Sequence, residues 1–168
     1  MSESLQQMLW NQFGGALQTF ENAVLACPEA VWGSEVSPRA FWYLTYHTLF
    51  WTDYYFAETT ENGFQPPEPF TKGEFEQGVL PERIYSKEEL LGYLSLMWAK
   101  SRNFVAGLNA EKSKQRFVGD YKDCSLLELV IYNTRHVQHH AAQLNLLLRQ
   151  AIDDTPGWVS LPERGLTD

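Results

Sequence analysis

The chain contains four histidines, and three of them crowd into one stretch, Arg135-His136-Val137-Gln138-His139-His140. The fourth, His47, stands far upstream among aromatic residues. His136 and His140 are spaced i, i+4, so on a helix both imidazoles leave from one face, close enough to hold one cation. Three converging neutral imidazoles, with a fourth position left to water, form an open metal site of the catalytic type. Such a set suits zinc, nickel, cobalt, manganese or iron alike.

Other chemistries lack their residues. No Glu precedes His47, His136, His139 or His140 by three, as a di-iron carboxylate bundle requires. Four histidines are too few for a haemerythrin-type centre, and neither HExxH nor GxSxG occurs. Cys27 and Cys124 are far apart with no CxxC, which reads as two ordinary thiols in a reducing compartment.

The elements that must position the histidines are helical. Apolar periodicity predicts four long helices, over about 2–26, 38–60, 87–108 and 126–150. In the first, Leu5, Met8, Leu9, Gln12, Ala16, Phe20, Ala23 and Val24 are read as one inward face. Ser37 and Pro38 suit an N-cap and first helical position, and Ser86/Glu89 and Ser125/Glu128 read as capping boxes. A Pro- and Gly-rich linker occupies 61–85, a polar and mobile-looking connection follows the third helix, and an irregular tail begins at about 151, with Trp158 expected to pack back onto the body. No strand alternation stands out. The expectation is an all-α protein, one domain over 1–168 built as an up-and-down four-helix bundle.

Helical phase selects among the clustered histidines. At about 100° per residue, His140 lies roughly 40° and His136 roughly 80° from the apolar centre of the fourth helix, while His139 lies roughly 140° away, on the solvent side. Asn133, about 20° from that centre, is a buried amide candidate. His47 is flanked at helical spacing by Tyr43, Phe50, Trp51 and Tyr54, which predicts an aromatic, apolar wall around it. The second and fourth helices are expected to run parallel, which sets His47 at the depth of His136 and His140. Gln143 is a candidate to orient a ligand or a water. Asp53 and Glu58 read as part of a solvated helix face.

Composition excludes other classes. The 168 residues carry a formal net charge of −8 and no basic run, which argues against a nucleic-acid partner. No stretch approaches a membrane span and the N-terminus lacks a signal-peptide pattern, so a cytoplasmic location without membrane association is expected.

The segments SPRAFWYLTYHTLFW, around His47, and RHVQHHAAQLNLL, around His136 and His140, resemble the DinB-like (DinB/YfiT-like) superfamily. Gln143 falls where that family often carries Gln after the last ligand, and TPGWV is similar to C-terminal stretches of some members. The resemblance implies a mirror variant of the up-and-down bundle and a divalent metal, commonly nickel or zinc, held by His47, His136 and His140 with water. It implies a homodimer in many members, stress-associated expression, and thiol-dependent isomerases or S-transferases that use low-molecular-weight thiols. Three functions follow as expectations: a metal-dependent enzyme of the thiol-transferase or hydrolase kind acting on a small molecule, a metal-binding bundle for sensing or sequestration, or a structural bundle with buried histidines.

Overall fold

The computed structural model describes residues 4–33, 39–59, 61–119 and 122–167. Four long helices make an all-α bundle: α1 (Leu5–Ala26), α3 (Phe41–Tyr55), α4 (Lys87–Ala106) and α5 (Leu126–Ile152), with a single turn α2 (Glu29–Trp32) between the first two. Their starts follow local chemistry. Ser4 accepts a bond from the Gln7 amide, Ser86 and Glu89 form a reciprocal capping box, and Ser125 accepts from the Glu128 amide. At α5 only the Ser125 half of the expected box is found among the described residues. The expected cap at Ser37 and Pro38, and the expected end at Thr60, lie outside the described residues; α3 starts later and ends sooner, at Phe41 and Tyr55.

Each long helix has two long neighbours, in the ring order α1–α5–α3–α4. Cross-helix bonds set the directions. Gln6 reaches the Leu108 carbonyl and Lys87 reaches those of Leu25 and Cys27, so α1 and α4 are antiparallel. Trp42 meets Tyr85, Asp53 meets Tyr93 and Phe56 meets Phe104, so α3 and α4 are parallel. Tyr55 packs on Tyr132 while His47 packs on His140, so α3 and α5 are antiparallel. The expected parallel run of these two helices is therefore corrected. The histidines still meet, because each lies near the middle of its helix, where either direction matches depth.

A parallel α3–α4 pair requires a connection that travels back along the bundle, and residues 61–85 make that return. They are no loose linker. Phe70 stacks on Tyr93 at 4.6 Å, Phe64 meets Phe50 at 5.3 Å, and Phe75 meets both Phe50 and Tyr54 at 5.0 Å. Between α4 and α5 an antiparallel hairpin of β1 (Arg116–Gly119) and β2 (Lys122–Ser125) replaces the expected mobile loop. Phe117 and Cys124 are its buried residues.

Of the expected inward face of α1, Ala16, Phe20, Ala23 and Val24 are buried, while Trp10, Phe13 and Leu17 take the place of Leu5, Met8 and Gln12 in its N-terminal half. Leu5 and Met8 are exposed, because Trp10, Phe13 and Leu17 remove more apolar area from water. The tail crosses α1. Arg164 accepts from the Trp10 indole through its carbonyl, bonds Glu21 and lies over the Trp98 ring at 4.3 Å. Trp158, expected to pack back, is 77% exposed; Pro162 docks instead. A Cβ on Gly14 would lie 2.8 Å from Pro162 Cγ. Gly14→Ala is expected to cost about 1 kcal/mol net, an overpacking penalty of about 1–3 kcal/mol less the helix gain of about 1 kcal/mol. Limited proteolysis should cut the tail faster in the variant; an unchanged cleavage rate would contradict the docking.

Candidate metal centre

The imidazoles of His47 on α3 and of His136 and His140 on α5 converge. Ring centroids are 4.8 Å apart for His47–His140 and His136–His140, and 5.7 Å for His47–His136. One candidate ligand atom from each lies within 4.8 Å of the other two. His139 is exposed, on the outer side of α5.

Two of the rings are oriented by outer partners. His47 Nδ1 donates to Glu74 Oε2 at 2.6 Å, and His140 Nδ1 donates to Gln143 Oε1 at 2.6 Å. Both bonds leave Nε2 as the free lone pair, the arrangement that metal-bound histidines use. His136 differs, since both of its ring nitrogens are buried with no hydrogen-bond partner among the described residues. An orphaned buried imidazole is costly unless something else satisfies it. The donor set therefore fits a divalent cation of intermediate softness.

The charge state fits too. Burial, then repulsion from the neighbouring imidazoles, holds His136 well below the usual histidine range. Burial and His47 push His140 down to about 4. Both are thus neutral and ready to ligate near pH 7. For stability the sign is definite. Unfolded histidines take up protons near a pH of about 6.5, whereas folded His140 waits until about 4. The unfolded chain binds more protons in that window, so stability is complete above the upper limit and falls as pH drops towards the lower one. The melting temperature of metal-free protein should decline across this window, and His140→Gln should flatten the decline. A level profile in the wild type would contradict the burial of the triad.

Glu74 was not among the expected site residues. It sits in a short 3-10 turn (Gly73–Phe75) of the returning connection, with its side chain 3% exposed. Burial would raise its pKa, but bonds from His47, Tyr43 and Trp51 overcome that and hold it below the usual carboxylate range.

The aromatic residues divide. Tyr43 and Trp51 lie at 6.2 and 6.4 Å from the His47 ring. Phe50 and Tyr54, expected as walls of the pocket, turn into the core around Phe64 and Phe75. His47 is not at the centre of the buried face of α3, which is Trp42, Thr45, Leu49 and Thr52; it shares a half-buried stripe with Tyr43 and Trp51. The returning connection covers α3 on a second side, so its buried arc is wider than one apolar stripe. Asn133 is fully buried but reaches Thr52 at 3.4 Å, not an imidazole. Asp53 is no solvated residue: at 4% exposure it accepts from Tyr93 and pairs with Lys100. Cys27 and Cys124 are buried free thiols with raised pKa values, which leaves them poor nucleophiles.

Two clefts adjoin the triad. The larger, about 730 Å³, runs between α1, α5 and the tail, with Arg135, His136, His139 and Trp158 on its walls. The smaller, about 340 Å³, is bounded by Tyr43, His47, Trp51, Glu74, Val79 and Leu80. The ring nitrogens of His136 are fully covered, whereas the His47 side chain is 28% exposed. The smaller cleft thus meets the triad at His47, and the larger one meets it at His136.

Fold and cluster define a class, that of helical bundles with three imidazoles gathered from two facing helices. The chain belongs to the DinB superfamily: the family model DinB_2 matches residues 12–144, a span that includes all three histidines. No match was found among curated proteins or among solved structures. Among the described residues, no helix is long and apolar enough to cross a membrane.

Proposed function

We propose that this chain is a metal-dependent enzyme in which His47, His136 and His140 hold one divalent cation, nickel or zinc, and a small molecule approaches along the cleft beside His47. The observation that carries the reading is the pairing of two outward-anchored Nδ1 atoms with a third imidazole that is buried and unpartnered. A cation bound there supplies Lewis acidity and lowers the pKa of a coordinated water or thiol. The protein's own contribution is positional. Glu74 and Gln143 hold two rings in one tautomer, and Trp51, Val79 and Leu80 supply apolar walls of the approach beside the polar Glu76 and Gln77.

The favoured reaction is transfer to a low-molecular-weight thiol, in which the thiol loses its proton to water, a sulfur–carbon bond forms, and the carbon–leaving-group bond breaks with the electron pair going to the leaving group; hydrolysis of a small molecule is the variant with water as nucleophile. A cleft of substrate size favours an enzyme over a bundle that only binds or sequesters metal. The test is conjugation of a chromogenic electrophile with a panel of small thiols, using zinc- and nickel-loaded protein with His47→Ala as the blank. The expected result is a rate well above the blank for at least one thiol. Stoichiometric metal with no thiol or hydrolytic turnover would replace the proposal with the non-catalytic metal-binding bundle.

A further inference from the structure

Glu74 gathers three donors from one stripe of α3. Tyr43 Oη donates to its Oε1 at 2.6 Å, while His47 Nδ1 and Trp51 Nε1 donate to Oε2 at 2.6 and 3.0 Å. The donors are spaced i, i+4, i+8, so one carboxylate spans two helical turns. Gln143 serves His140 with a neutral amide, and His136 has no hydrogen-bond partner among the described residues. Glu74 is thus the sole charged group, among the described residues, that hydrogen-bonds the triad.

That position has two consequences. Turning the His47 ring over would break its 2.6 Å bond to a buried carboxylate, so that bond keeps Nε2 aimed at the other imidazoles. A carboxylate on Nδ1–H also raises the basicity of Nε2 and offsets part of a dication's charge beside three neutral ligands. Glu74 is carried by the returning connection, which reaches the metal centre through this side chain.

We propose that Glu74 is a positioning residue of the metal centre, through which occupancy of the three imidazoles and docking of the connection 61–85 reinforce each other. The proposal rests on the three-histidine reading above. Linkage makes the coupling reciprocal: whatever factor the docked carboxylate adds to metal affinity, bound metal returns to the docking.

The test titrates metal-free wild type, Glu74→Gln, Trp51→Phe and His140→Ala with zinc against a chromophoric chelator. Hydrogen exchange over 61–85 is followed with and without zinc. Glu74→Gln should fold and bind zinc about 10- to 100-fold more weakly. Trp51→Phe keeps the carboxylate and its bond to His47 while removing one of the other two donors, and should lose less zinc affinity than Glu74→Gln. Zinc should slow exchange over 61–85 in the wild type but not in Glu74→Gln. A purely structural Glu74 would alter exchange in the metal-free protein and leave zinc affinity alone. Wild-type affinity in Glu74→Gln, or equal loss in Trp51→Phe, would overturn the proposal while the His140→Ala loss keeps the three-histidine reading. If Glu74→Gln does not fold, absence of zinc-dependent slowing in the wild type overturns it. A wild type that binds no zinc removes the reading and the proposal together.

Discussion

Replacing His140 by alanine is expected to weaken zinc binding about 100- to 1,000-fold, since one imidazole of a small set carries roughly 3–4 kcal/mol of a total near 10–16 kcal/mol. His140 is the ring nearest both others, with centroids 4.8 Å from each, so its loss opens the site more than it shrinks it. His47→Ala should lose as much and also leave Glu74 buried with one fewer donor. His139→Ala is the control. Its ring lies 5.1 Å from His140 but on the exposed side of α5, and its removal should leave zinc affinity unchanged. Competition against a chelator measures all three. A large loss in His139→Ala, or none in His140→Ala, would show that the cation sits elsewhere.

The largest stability effect is expected away from the histidines. Asp53 is 4% exposed, accepts from the Tyr93 hydroxyl at 2.8 Å and pairs with Lys100, which also donates to the Asp53 carbonyl at 3.0 Å. This cluster clamps α3 to α4. Asp53→Ala strands the buried Tyr93 hydroxyl and removes the Lys100 counter-charge, at a cost of about 3 kcal/mol. That is the low end for breaking a buried pair, because Lys100 is 32% exposed and keeps some water. Asp53→Asn, which retains an acceptor, should lose less. Urea denaturation measures both, and a loss below about 1 kcal/mol in Asp53→Ala would mean that the clamp contributes little.

The histidine spacing was legible in the sequence because helical geometry turns i, i+4 directly into a shared face. Helical phase likewise separates exposed His139 from His136 and His140. Helix direction was not legible, since residues at mid-helix meet in either orientation. The Trp10, Phe13 and Leu17 face of α1 was misread because α1 is buried almost all round through its middle, where the tail docks at Gly14. Periodicity blurs when both sides are covered. The hairpin escaped notice because each strand has four residues and one buried side chain, too short an alternation to register. Glu74 is the site residue that no sequence pattern marks. It follows a Pro-rich stretch with no helical period, and only the returning path required by parallel α3 and α4 carries it to His47.

The central claim is that three imidazoles from two helices hold one cation, and X-ray absorption on the zinc-loaded protein tests it most directly. The predicted result is one zinc per chain with three imidazole nitrogens at about 2.0–2.1 Å and a light, non-imidazole ligand completing the shell. No retained zinc, or a zinc shell with sulfur or with fewer than three imidazoles, would contradict it.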